Sequence, residues 1–134
     1  MKTITLQQIV DQNREWFVVE NHPRSMSCAY RGADGTRCTI GCVLPDDLYT
    51  PEMDLRGYTI PGCLENVKET GIATVLMCRP DLREFFKDIS VNVLRQLQII
   101  HDSYLGRIEG FNVYMDRELR QFANENKLNY PPRI

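Results

Sequence analysis

Ser27-Cys28-Ala29-Tyr30-Arg31-Gly32-Ala33-Asp34-Gly35-Thr36-Arg37-Cys38-Thr39-Ile40-Gly41-Cys42-Val43 is the stretch on which the fold class turns. Cys28, Tyr30, Cys38, Ile40 and Cys42 alternate with Ala29, Arg31, Arg37, Thr39 and Gly41, the period of two that a half-buried strand needs. Asp34-Gly35 between the two runs is a turn signal. A three-residue closure, Ala33-Asp34-Gly35 with the glycine in the left-handed region, pairs Gly32 with Thr36, Tyr30 with Cys38 and Cys28 with Ile40. That register puts the apolar alternates on one face and both arginines on the other, whereas a two-residue loop mixes the faces. The stretch therefore predicts a β-hairpin over about 27–43.

Toward the N-terminus, Thr5-Leu6-Gln7-Gln8 has the form of a capping box, in which hydroxyl and amide satisfy free N–H groups at a helix start. Leu6, Ile9, Val10, Trp16 and Phe17 follow helical spacing, with Asn13 as one polar interruption. A helix is expected from about 6 to 19, ended at Asn21-His22-Pro23 because the residue before a proline is pushed out of helical angles.

Past the hairpin, Pro45-Asp46-Asp47 suits the start of one helical turn, with the aspartates at its positive end. Residues 55–61 carry no clear period, and Pro61-Gly62 breaks whatever precedes it. Cys63–Glu69 reads as a short helix stopped near Gly71, and Ile72–Cys78 is an apolar run too short to classify by period. Pro80–Phe86 reads as a short helix. Ser90 offers a cap for a longer one whose face holds Val93, Leu94, Leu97, Ile100, His101 and Tyr104. Phe111, Met115, Leu119, Phe122 and Ala123 mark a final helix to about Lys127. The expected architecture is a single compact α+β domain over residues 1–134. In it the hairpin, with room for a third short strand, packs against four or five helices.

Composition bounds the function. The chain has 134 residues, 43% apolar and 25% charged, the usage of an ordinary globular protein. A net charge of −2 opposes a polyanion-binding surface covering the whole molecule. No strictly apolar run is longer than the four residues of Val75-Leu76-Met77-Cys78, far below a membrane span. The first residues lack the apolar core of a signal peptide, so five cysteines are expected as reduced thiols in a cytoplasm.

Cys28, Cys38 and Cys42, with Cys63, Cys78 or His101 as a fourth group, raise the question of a zinc site. The spacing opposes it. Four strand residues advance about 13 Å, while zinc ligands sit about 2.3 Å from one ion, so only a sharp bend at Gly41 brings Cys38 and Cys42 together. Small soft thiols filling the buried face of the hairpin is the better reading, and no metal or cofactor is expected. His22 and His101 are the two histidines, and local spacing places neither beside a cysteine as a base. Asp46, Asp47, His101 and Asp102 form an alternative set for a metal-dependent hydrolase or nuclease. Against it, the aspartates have a job at a helix start, and His101 fits a hydrogen-bonded place at the core edge. A nucleic-acid module using the helical cations Arg79, Arg83, Lys87, Arg95, Arg117 and Arg120 is a second alternative. Those cations are interleaved with Asp81, Glu84, Asp88, Asp116 and Glu118, as on a solvated mixed-charge face.

Cys28-x-Tyr30-Arg31, Cys38-x-x-Gly41-Cys42-x-x-Pro45-Asp46-x-x-Tyr49 and Pro51-x-Met53-Asp54 form one motif, and Leu97-Gln98-x-x-His101-Asp102 a second. Over roughly residues 26–128 the chain resembles a family of small proteins of tailed bacteriophages and prophage regions. The resemblance implies a phage-encoded protein working inside a bacterium and carries no activity with it. Some members of that family carry another small residue where Cys42 stands, so the resemblance implies no metal at that position.

The expected function is that of a small phage-type accessory protein, non-catalytic, which binds a host or phage protein in the host cytoplasm and modulates it. Asp46, Asp47, Tyr49, Met53, Tyr58, His101 and Asp102 are the candidate interaction surface. The reading requires an exposed apolar patch of some hundreds of Å², or a stable homodimer that covers one.

Overall fold

Thr5 starts the first helix as its sequence requires. Gln8 N–H donates to Thr5 Oγ1 at 3.1 Å and Thr5 N–H donates to Gln8 Oε1 at 2.9 Å, the reciprocal box. A computed structural model of the chain describes residues 3–24, 30–32, 35–54, 58–59, 68–69, 71–104, 106 and 109–132. Helix α1, Leu6–Asn13, buries Ile9 and Val10 and then widens into a π-helical segment, Arg14–Val19. Asn13 sits at the change, fully buried, its Nδ2 donating to Ile9 O at 2.9 Å and to Thr39 O at 3.1 Å. The polar interruption in the apolar face is thus a tie between the first helix and the 38–43 turn, and it competes for an intrahelical carbonyl where the hydrogen bonding changes.

The hairpin is corrected. Gly32 N–H reaches Thr36 O at 2.8 Å and Cys38 N–H reaches Tyr30 O at 3.2 Å, with Gly35 at φ +84°. These contacts amount to one isolated antiparallel bridge, Arg31 with Arg37, and among the described residues no strand grows from it. Two hydrogen bonds explain why. The N–H of Tyr30, which a ladder gives to Cys38 O, goes to Asp54 Oδ1 at 2.6 Å. Cys38 O in turn accepts from Cys42 N–H at 2.9 Å, curling residues 38–42 into a local turn. Gly41 lies so close over Tyr30 that a Cβ there would stand 1.7 Å from the Tyr30 carbonyl oxygen. Strand periodicity lost to a side chain eleven residues beyond the stretch that carries it. Cys28 and the loop residues Ala33 and Asp34 lie outside the described residues.

The class is accordingly helical, not α+β. Five α-helices carry the described structure: α1, α2 (Ile72–Cys78), α3 (Pro80–Phe85), α4 (Val91–Asp102) and α5 (Phe111–Glu125). Among the described residues extended pairing is limited to Tyr58–Thr59 against Lys68–Glu69. Lys68–Glu69 were expected to end a short helix; Cys63–Val67, the rest of that expectation, lie outside the described residues.

Each later helix has a local cause. The ambiguous run Ile72–Cys78 is α2, burying Ile72, Thr74, Val75 and Leu76. Pro80 stands at the first position of α3, where its missing N–H costs nothing. Ser90 Oγ accepts from Val93 N–H at 3.2 Å and starts α4. α5 ends at left-handed Lys127, after which Leu128 N–H returns to Ala123 O at 2.7 Å. α5 packs most heavily along Arg14–Val19, where Phe17 meets Phe111 edge to face at 5.3 Å. The core draws on all five helices and on Tyr30, Cys38, Ile40, Val43, Leu44 and Met53 from the intervening chain. The tail closes over α1, Asn129 and Gln7 exchanging hydrogen bonds at 2.9 and 3.0 Å.

Candidate functional site

The acidic turn is a structural knot. Asp54 accepts from Tyr30 N–H at 2.6 Å, from Arg31 N–H at 3.3 Å and from the Tyr49 hydroxyl in a short hydrogen bond. Burial and the Asp54 carboxylate push the Tyr49 phenol up to about 12. Arg31 stacks its guanidinium 4.9 Å from the Tyr49 ring centre and donates to Leu44 O at 2.6 Å and to Asp46 Oδ1 at 2.7 Å. The Arg31 hydrogen bond holds the Asp46 carboxyl below its ordinary range. Five residues of the first sequence motif, Tyr30, Arg31, Asp46, Tyr49 and Asp54, are thus tied to one another by these contacts.

This changes the expected interaction surface. Met53 is fully buried, and Tyr49 is half-buried with its hydroxyl engaged. Asp46 and Asp47 are exposed. Tyr58 lies in the two-residue pairing, and its side chain is outside what is described. His101 is fully buried, its ring 5.8 Å from Phe17 and 5.5 Å from Phe111, with Nδ1 at 2.8 Å from the half-exposed Asp102. Met53 and His101 therefore have no face to offer a partner.

The hydrolase set is not assembled either. Asp46 is committed to Arg31 and His101 to its own neighbour, and among the described residues no three His, Cys, Asp or Glu side chains come together as metal ligands. The expected separation of Cys38 from Cys42 by strand geometry is corrected, since both stand in one turn. Even so, they act as packing groups. Gly41 N–H donates to Cys38 Sγ at 3.3 Å, and Cys42 donates to Gln12 O at 3.5 Å. Burial is the first cause that pushes each thiol up to about 12. Neither thiol is a nucleophile near neutral pH. Native protein treated with iodoacetamide at pH 8 is expected to leave Cys38 and Cys42 unmodified over hours, while urea-unfolded chain reacts at both; mass spectrometry reads the difference. The same shifts make stability fall as pH rises above about 9, since the unfolded thiols ionise there and the folded ones do not until about 12.

The cations proposed for nucleic acid are largely spent on the fold. Arg79 donates to Leu48 O at 2.8 Å and to Thr50 Oγ1 at 2.9 Å while pairing with Asp81. Arg83 Nη1 donates to Leu76 O at 2.6 Å and Met77 O at 2.9 Å, satisfying carbonyls at the end of α2. Arg117 pairs with Glu109, and Arg120 donates to Pro131 O at 2.7 Å beside Asp116. Arg24, not singled out in the sequence, does the same for α4, donating to His101 O at 3.2 Å and Asp102 O at 3.0 Å. Interleaved acids thus neutralise Arg79, Arg117 and Arg120, while Arg83 and Arg24 are held by backbone carbonyls.

What stays open is a groove between α2, α3 and the start of α4. It has a volume of about 530 Å³ and is lined by Ala73, Leu76, Met77, Phe86, Ile89 and Val91, with Arg83 and Lys87 beside it. Ala73 and Met77, one turn apart on α2, face it, and Met77 is 51% exposed. The other side of α2 is core. A short surface helix that is apolar all round has two apolar faces to cover, and that was the signal available in Ile72–Cys78. A second concavity, lined by Arg117, Arg120, Gln121, Asn124, Leu128 and Tyr130, is polar, and its arginines already face Glu109, Glu118 and Asp116. No helix among the described residues is long and apolar enough to cross a membrane. Comparison with protein-family models, with curated proteins and with solved structures finds no match.

Proposed function

We propose that this chain acts by binding another protein, as a small phage-type accessory factor that modulates a host or phage partner in the bacterial cytoplasm and performs no chemistry of its own. The observation that carries the reading is the open apolar groove over Met77. An exposed, rotamer-rich methionine on the rim of an apolar concavity is a common feature of binding surfaces, because its soft, unbranched side chain adapts to what it meets. The contact surface accordingly moves from the acidic turn to the α2–α3 face. Asp46, Asp47 and Asp102 keep exposed carboxylates but none of them lines the apolar groove, and apolar anchors supply most interface energy.

Site-specific photo-cross-linking in bacterial cells, uninfected and phage-infected, tests the reading. A benzophenone amino acid at position 77 of the full chain is expected to give a discrete protein adduct. The same group at exposed position 12 on α1 is expected to give none. Equal adducts at both positions, or none at position 77 in either condition, would sink it.

A further inference from the structure

Resting on that reading, we infer that the groove takes an amphipathic helix from a different protein, with acidic side chains along the edge of its apolar stripe. Size and shape come first. A groove of about 530 Å³ between helices admits a few large side chains, and the helix-in-groove mode supplies them at i, i+3 or i+4, and i+7. Phe86, Ile89 and Leu76 make a floor that is nearly buried, so it is rigid, while Met77 at the rim adapts.

Charge selects the occupant. Arg83, on α3, and Lys87, two residues past its end, both line the groove. Among the described residues no carboxylate pairs with Arg83, whose Nη1 is held by the Leu76 and Met77 carbonyls at 2.6 and 2.9 Å. Lys87 meets Glu84 at 3.2 Å, but with both side chains a third or more exposed that pair is weak and yields readily to a second carboxylate. The groove therefore presents positive charge held in place beside an apolar floor. A second copy of this chain is a poor occupant. A two-fold contact through the groove sets Arg83 and Lys87 of one copy against those of the other, and like charges across an interface reject a partner.

The test is a selection on the full chain. A yeast-displayed library of helical segments about 15 residues long, with apolar anchors at i, i+4 and i+7 and randomised flanks, reads out the preference. Recovered segments are expected to carry Asp or Glu in the flanks and to bind Met77→Asp at least about tenfold more weakly, as for loss of an interface anchor. Lys87→Glu should swing the flank preference toward Lys and Arg. Both side chains are half exposed, so both variants are expected to keep the wild-type circular dichroism spectrum and melting temperature. Basic or uncharged flanks selected by the wild-type chain would overturn the inference. So would full-strength binding to Met77→Asp, which leaves protein binding at another face standing. A concentration-dependent dimer, abolished by Met77→Asp in sedimentation equilibrium, overturns it in favour of a second copy. Loss of the position-77 adduct in cells is a separate result and removes the protein-binding reading itself.

Discussion

Replacing Gly41 with alanine is expected to remove most of the stability of the protein. The added Cβ would lie 1.7 Å from Tyr30 O and 2.5 Å from its carbonyl carbon, so relief must come from backbone and not from a side-chain tip. Tyr30 cannot simply recede. Its carbonyl accepts from Cys38 N–H, and its N–H and that of Arg31 are held by Asp54. Either the turn opens or the Asp54 knot loosens, and each exposes part of the cluster of Tyr30, Cys38 and Ile40. A loss above about 3 kcal/mol is expected, in the tail of point-mutant effects. Against a total of about 5–15 kcal/mol that leaves a marginal fold. Gly71→Ala is the control, because a Cβ there meets nothing within 4 Å. Its cost is expected below about 1 kcal/mol, that of a weakened helix start. Urea denaturation followed by circular dichroism distinguishes the two, and a Gly41→Ala midpoint equal to that of Gly71→Ala refutes the close approach.

Asp54→Ala is expected to have the next largest effect. It strands two backbone N–H groups and leaves the Tyr49 hydroxyl only its long hydrogen bond to Arg31 O at 3.5 Å, and Tyr30 is almost wholly buried. Unsatisfied buried donors cost about 1–3 kcal/mol each, and partial access of water to Arg31 and Tyr49 brings the expected sum to about 3 kcal/mol. Asp46→Ala should leave the melting temperature unchanged, although Asp46 also binds Arg31 at 2.7 Å, because its side chain is 90% exposed and water replaces the pair. The two aspartates flank one loop and look alike in composition. Equal effects of the two substitutions in a thermal melt would show that burial does not set the difference.

The helices were legible because their signals are local. The Thr5–Gln8 box, the Ser90 cap and Pro80 at a first helical position each act within four residues, so spacing alone reveals them. The apolar faces of α4 and α5 were legible through their period, Leu94, Leu97 and His101 on one, Met115, Leu119 and Phe122 on the other. The alternation in 27–43 misled for a definite reason. Period two reports which side chains turn inward and says nothing about where the backbone N–H groups go. Asp54 claimed two of them from outside the stretch. Met53 misled as a contact residue because its 3₁₀ turn lies beneath elements that no local pattern could bring over it, whereas the burial of His101 followed the period of α4.

By itself, the sequence determined the starts of α1, α3 and α4, the apolar faces of α4 and α5, and that Asn13 and Gly41 are exceptions needing a cause, while it left α2 unclassified. Those outcomes rest on hydrogen bonds and side-chain contacts between near neighbours. Tertiary structure alone decided that the 38–42 segment curls instead of pairing, that Arg83 and Arg24 cap carbonyls at helix ends, and that α2 keeps a second apolar face open beside Arg83 and Lys87. These are competitions for one donor or one surface among groups far apart in the chain, and only packing in three dimensions settles which group wins.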